Sequence, residues 1–193
     1  MTATPHDATP LAMLSIDEAK RAAVAAGIPE TLASVNLLRF ALRNEKLAKV
    51  VTAMVELSVI RGVLDPRLRE IVILRVGWRI GSVYEWSNHV PIAQRSGLTD
   101  DEILAVRSTH DHAVLTEADR LAIAVADQVL DANVVSTSTL ATARALLGDG
   151  DELLELIAIP GCYRAIGSLL ATFSIPLEAH VAPWAPDGHA PQR

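Results

Sequence analysis

Four residues between positions 70 and 89 have side chains able to hold or move protons: Glu70, Ser82, Glu85 and His89. They interrupt a run that otherwise reads as buried helix, where a polar group is costly unless it is partnered. If Ser82 opens a helix, Ser82, Glu85 and His89 fall at i, i+3 and i+7 and share one face, and Glu70 can meet them from the helix before. A carboxylate one turn from an imidazole can orient the ring and raise its pKa, and such a pair can pass a proton near neutral pH. His89, Glu85 and Glu70 are therefore the candidate catalytic residues. Plainer roles exist for each. Ser82-x-x-Glu85 is also a capping box, Glu70 can pair with Arg67 or Arg75, and Ser82 stands open between site and cap.

Arg75 and Arg79, one turn apart before the motif, can clamp a substrate carboxylate bidentately or form structural salt bridges. With Ser82 they are the candidate substrate-binding residues. A divalent metal on Glu70, Glu85 and His89 is conceivable, but three scattered ligands without a second histidine make a poor site, so neither metal nor cofactor is expected. Tyr84, Trp86 and Trp78 read as packing residues of the core or of a subunit contact. His110-Asp111-His112 reads as a solvated loop, and His180 as a residue that could reach a neighbouring site.

The elements that must position these groups are helical. No alternating strand pattern bounded by hairpin turns occurs, so the fold class is all-α. Ser15-x-x-Glu18 caps a first helix ended by Gly27, and further helices are expected over 32–43 and 46–61. Asp65 and Pro66 start a helix that is apolar nearly all round and therefore central. Gly81 breaks it, and the motif helix runs from Ser82 to Gly97. Thr99-x-x-Glu102, Thr116-x-x-Asp119 and Ser136 or Thr137 begin three more. The last apolar stretch, 151–175, should kink or split at Pro160-Gly161. Residues 1–14 and 183–193 read as a flexible arm and tail around one domain, 15–182.

The chain has 193 residues, half of them hydrophobic, and a formal charge of -6 with no basic run. That excludes a clustered Lys/Arg footprint for nucleic acid or a polybasic membrane surface. No uninterrupted apolar run approaches a membrane span, and no secretory signal is read at the N-terminus. The single cysteine, Cys162, is compatible with a reducing cytoplasm and reads as an inert core residue. The apolar excess points to a homo-oligomer.

Glu70, eleven intervening residues, then Ser82-x-x-Glu85-x-x-x-His89 resembles the pattern of the carboxymuconolactone decarboxylase and alkylhydroperoxidase-D superfamily, in which the Ser82 and Glu85 positions carry cysteines in the redox branch. The segments 64–70 and 174–178 also look like the family. With both cysteines replaced, the thiol chemistry of a peroxidase loses its nucleophile and its resolving thiol, and Tyr84-Glu85-Trp86-x-x-His89 is similar to the non-redox, carboxymuconolactone decarboxylase-like branch. The resemblance implies a compact helical domain, a trimer or hexamer, and a cofactor-free lyase or isomerase acting on a small organic acid or lactone by proton transfer, with His89 donating or accepting the proton and Glu85 orienting it. Alternatives are a silent helical module that binds a ligand or partner and, with less support, a residual peroxidase.

Overall fold

The computed structural model describes residues 11–108 and 113–192. Among them the chain is all-α, as expected, with no strand. Ser15 and Glu18 form a full capping box at the start of α1 (Ile16–Ala26). The expected 32–43 helix is divided: a 3-10 turn (Glu30–Ser34) precedes α2 (Asn36–Ala41). The expected 46–61 helix is likewise regular only as α3 (Glu45–Val55), after which the backbone widens into a π-helical turn (Glu56–Ile60). The cause is local: Ser58 Oγ donates back to the Met54 carbonyl, and its oxygen also meets the Tyr163 hydroxyl at 3.2 Å.

Asp65 caps α4 (Pro66–Ile80), with Pro66 at the first position, where a missing N–H costs nothing. Every residue of α4 from Leu68 to Gly77 is buried, and it packs against α5 (Val83–Arg95), α7 (Glu117–Ala132) and α9 (Asp151–Thr172). It is the central helix that its all-round apolarity required. Thr99 with Glu102 and Thr116 with Asp119 complete capping boxes at α6 (Asp100–Ala105) and α7, and Ser136 caps α8 (Thr137–Leu147).

Two departures have physical causes. α9 neither splits nor stops at Pro160-Gly161 but runs unbroken for 22 residues. Pro160 forgoes one backbone hydrogen bond, a cost of about 3 kcal/mol, which burial of Leu156, Ile159, Pro160 and Tyr163 offsets. α9 is long and apolar enough to cross a membrane by composition, yet here it packs on α4, α7 and α8. The segment after Pro183, expected to be a flexible tail, makes specific contacts: Trp86 Nε1 donates to the Ala185 carbonyl at 2.5 Å, the Trp184 amide donates to Ser87 Oγ at 2.8 Å, and Arg107 pairs with Asp187 at 2.7 Å. His110-Asp111-His112 lies outside the described residues.

The core has two parts. One joins α4, α5, α7 and α9; the other joins α1, α2 and α3 with Tyr84, Ile166 and Leu170. Arg75 is wholly buried in the first. It grips both oxygens of Asp127 on α7 at 2.7 and 2.8 Å, and one of its nitrogens donates to the carbonyls of Val106, Arg107 and Ser108 at the end of α6. Replacing Arg75 with Met strands those acceptors, and removing one partner of a buried pair costs about 3 kcal/mol or more. Urea unfolding of Arg75→Met should show that loss; a change under about 1 kcal/mol would mean that Arg75 does not tie α4 to α6 and α7.

Candidate active site

α4 and α5 approach closely because residue 77 is a glycine. A Cβ there would lie 3.0 Å from the Trp86 amide nitrogen and 3.2 Å from Glu85 Cβ. Gly81 at φ 67° reverses the chain, a conformation that glycine adopts without strain. The Ser82 amide then returns to the Gly77 carbonyl at 2.8 Å, and Ser82 Oγ accepts from the Glu85 amide at 3.2 Å. Only half of the expected capping box forms. Glu18, Glu102 and Asp119 each reach back to their caps, whereas the Glu85 side chain turns toward a cavity and away from Ser82. Ser82 is a helix cap and does not line that cavity.

The cavity, about 210 Å³, lies between the two parts of the core. Leu32, Val35 and Leu38 wall it from the N-terminal layer, Val55 and Val59 from the end of α3 and the π turn, and Ile166 from α9. Its polar groups are Glu85 and His89, with Tyr84, Asn88 and Tyr163 beside them. Behind His89 stands Glu70, fully buried on α4. The His89 Nδ1–H donates to Glu70 Oε2 at 2.7 Å, and Arg69 Nε donates to Glu70 Oε1 at 2.9 Å. Glu85 Oε2 lies 3.9 Å from His89 Nε2, an ion-pair distance too long for a hydrogen bond. Glu85 Oε1 is buried without a hydrogen-bond partner, a costly condition for a carboxylate.

These environments push the two carboxylates in opposite directions. Burial alone would raise the Glu70 carboxyl, but the His89 charge and hydrogen bond, with Arg69, hold it below its ordinary value. Burial opposes a charged His89, yet Glu70 and then Glu85 raise its pKa above the ordinary 6.5. Glu85 lacks comparable support: burial lifts it from 4.5 to about 7, with His89 pulling weakly the other way. The arrangement therefore favours the carboxylate of Glu70 and the imidazolium of His89, and leaves Glu85 poised near neutrality to hold or release a proton. Carboxyl groups with separated pKa values mark acid and base roles. The ring of Tyr163 stands edge-on to His89, centroids 5.2 Å apart, and burial raises its hydroxyl well above 10, so it stays a neutral phenol.

Glu70, Glu85 and His89 thus meet as the spacing required. Arg75 and Arg79 do not join them. Arg75 is engaged by Asp127 and three carbonyls, and Arg79 by Asp127 and Asp131 at 2.6 Å each, so both take the structural salt-bridge role and neither lines the cavity. Sequence reasoning missed Arg69, whose signal was only its adjacency to Glu70, and Tyr163, hidden in an apolar run. Tyr84, expected to pack, does bury its ring but also lines the cavity, and its hydroxyl donates to Glu178 at 2.6 Å while accepting from the Leu37 amide. Among the described residues no cluster of three metal-ligating side chains has the geometry to hold an ion.

Residues 45–128 match the carboxymuconolactone decarboxylase family. The match carries Glu70, Ser82, Glu85 and His89, as the sequence pattern indicated; Leu32 to Leu38, Tyr163 and Ile166 lie outside it. No curated protein matches the chain significantly. Among solved structures it is similar to an uncharacterized peroxidase-related protein from Silicibacter sp. TM1040, with a TM-score of 0.69 and 15% identity over 93% of this chain and 96% of that one. At that identity the likeness is one of fold.

The buried Glu85 predicts a pH effect on stability. Its folded pKa is raised, so its contribution is full below 4.5 and is lost as pH climbs to about 7. Glu85→Gln removes the loss. The variant should match the parent near pH 5 and exceed it at pH 8 by at most about 3 kcal/mol, less whatever support His89 forfeits. Urea unfolding at both pH values checks this, and an equal difference at the two would place Glu85 outside a desolvated site.

Proposed function

From a chain whose 45–128 segment matches the carboxymuconolactone decarboxylase family, we propose a cofactor-free enzyme that decarboxylates or isomerises a small organic acid or lactone by proton transfer. The observation that carries this reading is the unpartnered, buried Glu85 oxygen at an apolar cavity, beside a histidine that a second carboxylate keeps charged. A structural carboxylate would have been given a partner. One left without a partner in a largely aliphatic pocket, with a pKa of about 7, is suited to general acid and base work.

In a decarboxylation the electrons of the breaking carbon–carboxylate bond pass into an adjacent carbonyl or lactone, giving carbon dioxide and an enolate. His89, as imidazolium, stabilises the oxygen where that charge gathers. Glu85 delivers its proton to the carbon and is reprotonated from solvent as product leaves. An isomerisation uses the same two groups, with Glu85 first removing the proton that it later returns. Glu70 is a positioning residue that fixes the imidazole tautomer and charge. These roles invert the sequence-based assignment, in which Glu85 oriented His89 and His89 moved the proton. A homo-oligomer, trimer or hexamer, belongs to the same proposal, supported by the exposed Val50, Leu57, Ile60 and Val63.

Thiol peroxidase chemistry has little to draw on. Serine and glutamate occupy the two cysteine positions, and Cys162, its thiol pKa raised by burial, does not line the cavity. Cys162→Ser should leave turnover and melting temperature essentially unchanged; peroxide turnover lost with that thiol would overturn the non-redox reading.

A panel of small acids and lactones, followed by carbon dioxide release and by ultraviolet loss of substrate, tests the proposal. His89→Ala and Glu85→Gln should each lower turnover by about a hundredfold or more, and the double variant should be little worse than the poorer single one, because residues acting as one unit are non-additive. Arg79→Ala should leave the rate within about twofold. The rate of a decarboxylation should fall as pH rises through about 7, where Glu85 loses its proton, whereas an isomerisation that begins with Glu85 as base should speed up over the same range. Full activity in both His89→Ala and Glu85→Gln would remove the site.

A further inference from the structure

A second hollow adjoins the cavity. It measures about 600 Å³ and is lined by α2 and the turn before it, by Asn88 and by residues 177–180. Val35 and Asn88 line both spaces, and Tyr84, which walls the cavity, holds Glu178 of the hollow through its hydroxyl. The cavity beside Glu85 and His89, at about 210 Å³, is smaller than the roughly 300–1,000 Å³ usual for small-molecule sites. Cavity and hollow together fall inside that range.

Glu178 carries the uncommitted acceptor of the hollow. Its Oε1 accepts twice, from the Tyr84 hydroxyl at 2.6 Å and from the Asn36 amide at 2.9 Å. The Leu37 amide donates to the Tyr84 oxygen at 3.2 Å, which leaves the phenolic hydrogen for Glu178. These bonds fix the carboxyl group through one oxygen. The other, Oε2, is buried and has no hydrogen-bond partner, a costly condition unless a donor reaches it. The basic residues of the hollow do not supply one. Arg39 turns Nε and Nη2 to the Leu14 carbonyl and Nη1 to Asn36 Oδ1, and His180 is exposed. Among the described residues, Glu85 and Glu178 alone carry a buried carboxyl oxygen without a partner, and they line the two adjoining spaces.

We propose that cavity and hollow form one site in two parts: the reacting end of the substrate lies by Glu85 and His89, and a hydroxyl group further along it donates to Glu178 Oε2. The substrate is then a hydroxylated short-chain acid or lactone, and Glu178 sets that preference. An ammonium in place of the hydroxyl would meet the Arg39 guanidinium, which lines the same hollow. Because Oε2 is already withdrawn from water in the free protein, the hydroxyl gains an acceptor that has no hydration to give up. The inference rests on the functional reading above for the reacting end of the ligand.

Hexanoate, 5-hydroxyhexanoate and 5-oxohexanoate are the probes. They share a chain and carry at carbon 5 no polar group, a donor, or an acceptor alone; calorimetry at neutral pH reads their binding. The hydroxy acid should bind about tenfold or more tighter than the oxo acid, the range for a hydrogen bond to a carboxylate. Glu178→Gln is the sharper test. Tyr84 and Asn36 both donate to Oε1, so glutamine keeps its carbonyl there and sets its NH2 where Oε2 stood, turning the free acceptor into a donor with the structural bonds intact. In that variant the preference should invert, the oxo acid binding tighter than the hydroxy acid, while hexanoate stays within about twofold of the parent. Equal binding of hydroxy and oxo acids by the parent, or an unchanged preference in Glu178→Gln, overturns the proposal. Tighter binding of 5-aminohexanoate than of 5-hydroxyhexanoate overturns the assignment of a hydroxyl. If the variant does not fold, the parent series alone decides. Because binding is read without turnover, an inverted preference in a protein inert toward every acid and lactone removes the lyase reading alone. Turnover that depends on His89 in a protein indifferent to the hydroxyl removes this inference alone.

Discussion

The hydrogen bond between Glu70 and His89, 2.7 Å long and closed to water, is the interaction on which the rest of the site depends. It joins the central helix to the motif helix, so the relative setting of α4 and α5 is also the setting of Glu70, Glu85 and His89. Gly77 permits the approach and Gly81 the reversal that aims α5 back along α4. The bond also decides ionisation. The hydrogen bond favours the charged form of both partners, lowering the Glu70 carboxyl and raising the His89 imidazole. The second carboxylate, facing the same imidazole across 3.9 Å without a hydrogen bond, is left to desolvation. One contact thus separates two chemically identical side chains, one held below its ordinary pKa and the other raised to about 7.

Much of this was legible because helical periodicity is a strong signal. The i, i+3, i+7 spacing of Ser82, Glu85 and His89 required a common face, and Asp65-Pro66 with Gly81-Ser82 fixed where two helices begin and end. What spacing does not carry is the direction in which a side chain leaves the helix. Ser82-x-x-Glu85 looks like Thr99-x-x-Glu102, yet only the latter closes its box. The difference lies in what faces the glutamate: the Arg67 guanidinium beside Glu102, a cavity and the His89 imidazole beside Glu85. Arg75 and Arg79 misled for a related reason. Their partners, Asp127 and Asp131, lie some fifty positions away on α7, and no local pattern announces which acid an arginine will meet.

Backbone departures followed the same logic. Pro160 should break a helix by its own chemistry, and α9 continues because residues on both sides of it are buried. Tertiary packing overrode local preference there, as it commonly does when the energies compete at a few kcal/mol. The π turn at 56–60 lies where Ser58 turns inward to Tyr163. Such widened turns recur at functional sites, and this one brings Val59 to the cavity wall.

The division of the cavity between matched and unmatched sequence bears on how such a site diversifies. The segment 45–128, which matches the family, supplies the acid, the imidazole and its supporting carboxylate. The aliphatic wall from Leu32 to Leu38, with Tyr163 and Ile166, comes from outside it. The first set is demanding in geometry, since a displacement of an ångström alters both hydrogen bonding and ionisation. Shape selection makes loose demands on the second, where aliphatic residues of similar volume exchange at small cost. The helices hold the Glu70–His89–Glu85 unit of α4 and α5 against an aliphatic wall drawn from the N-terminal layer and α9.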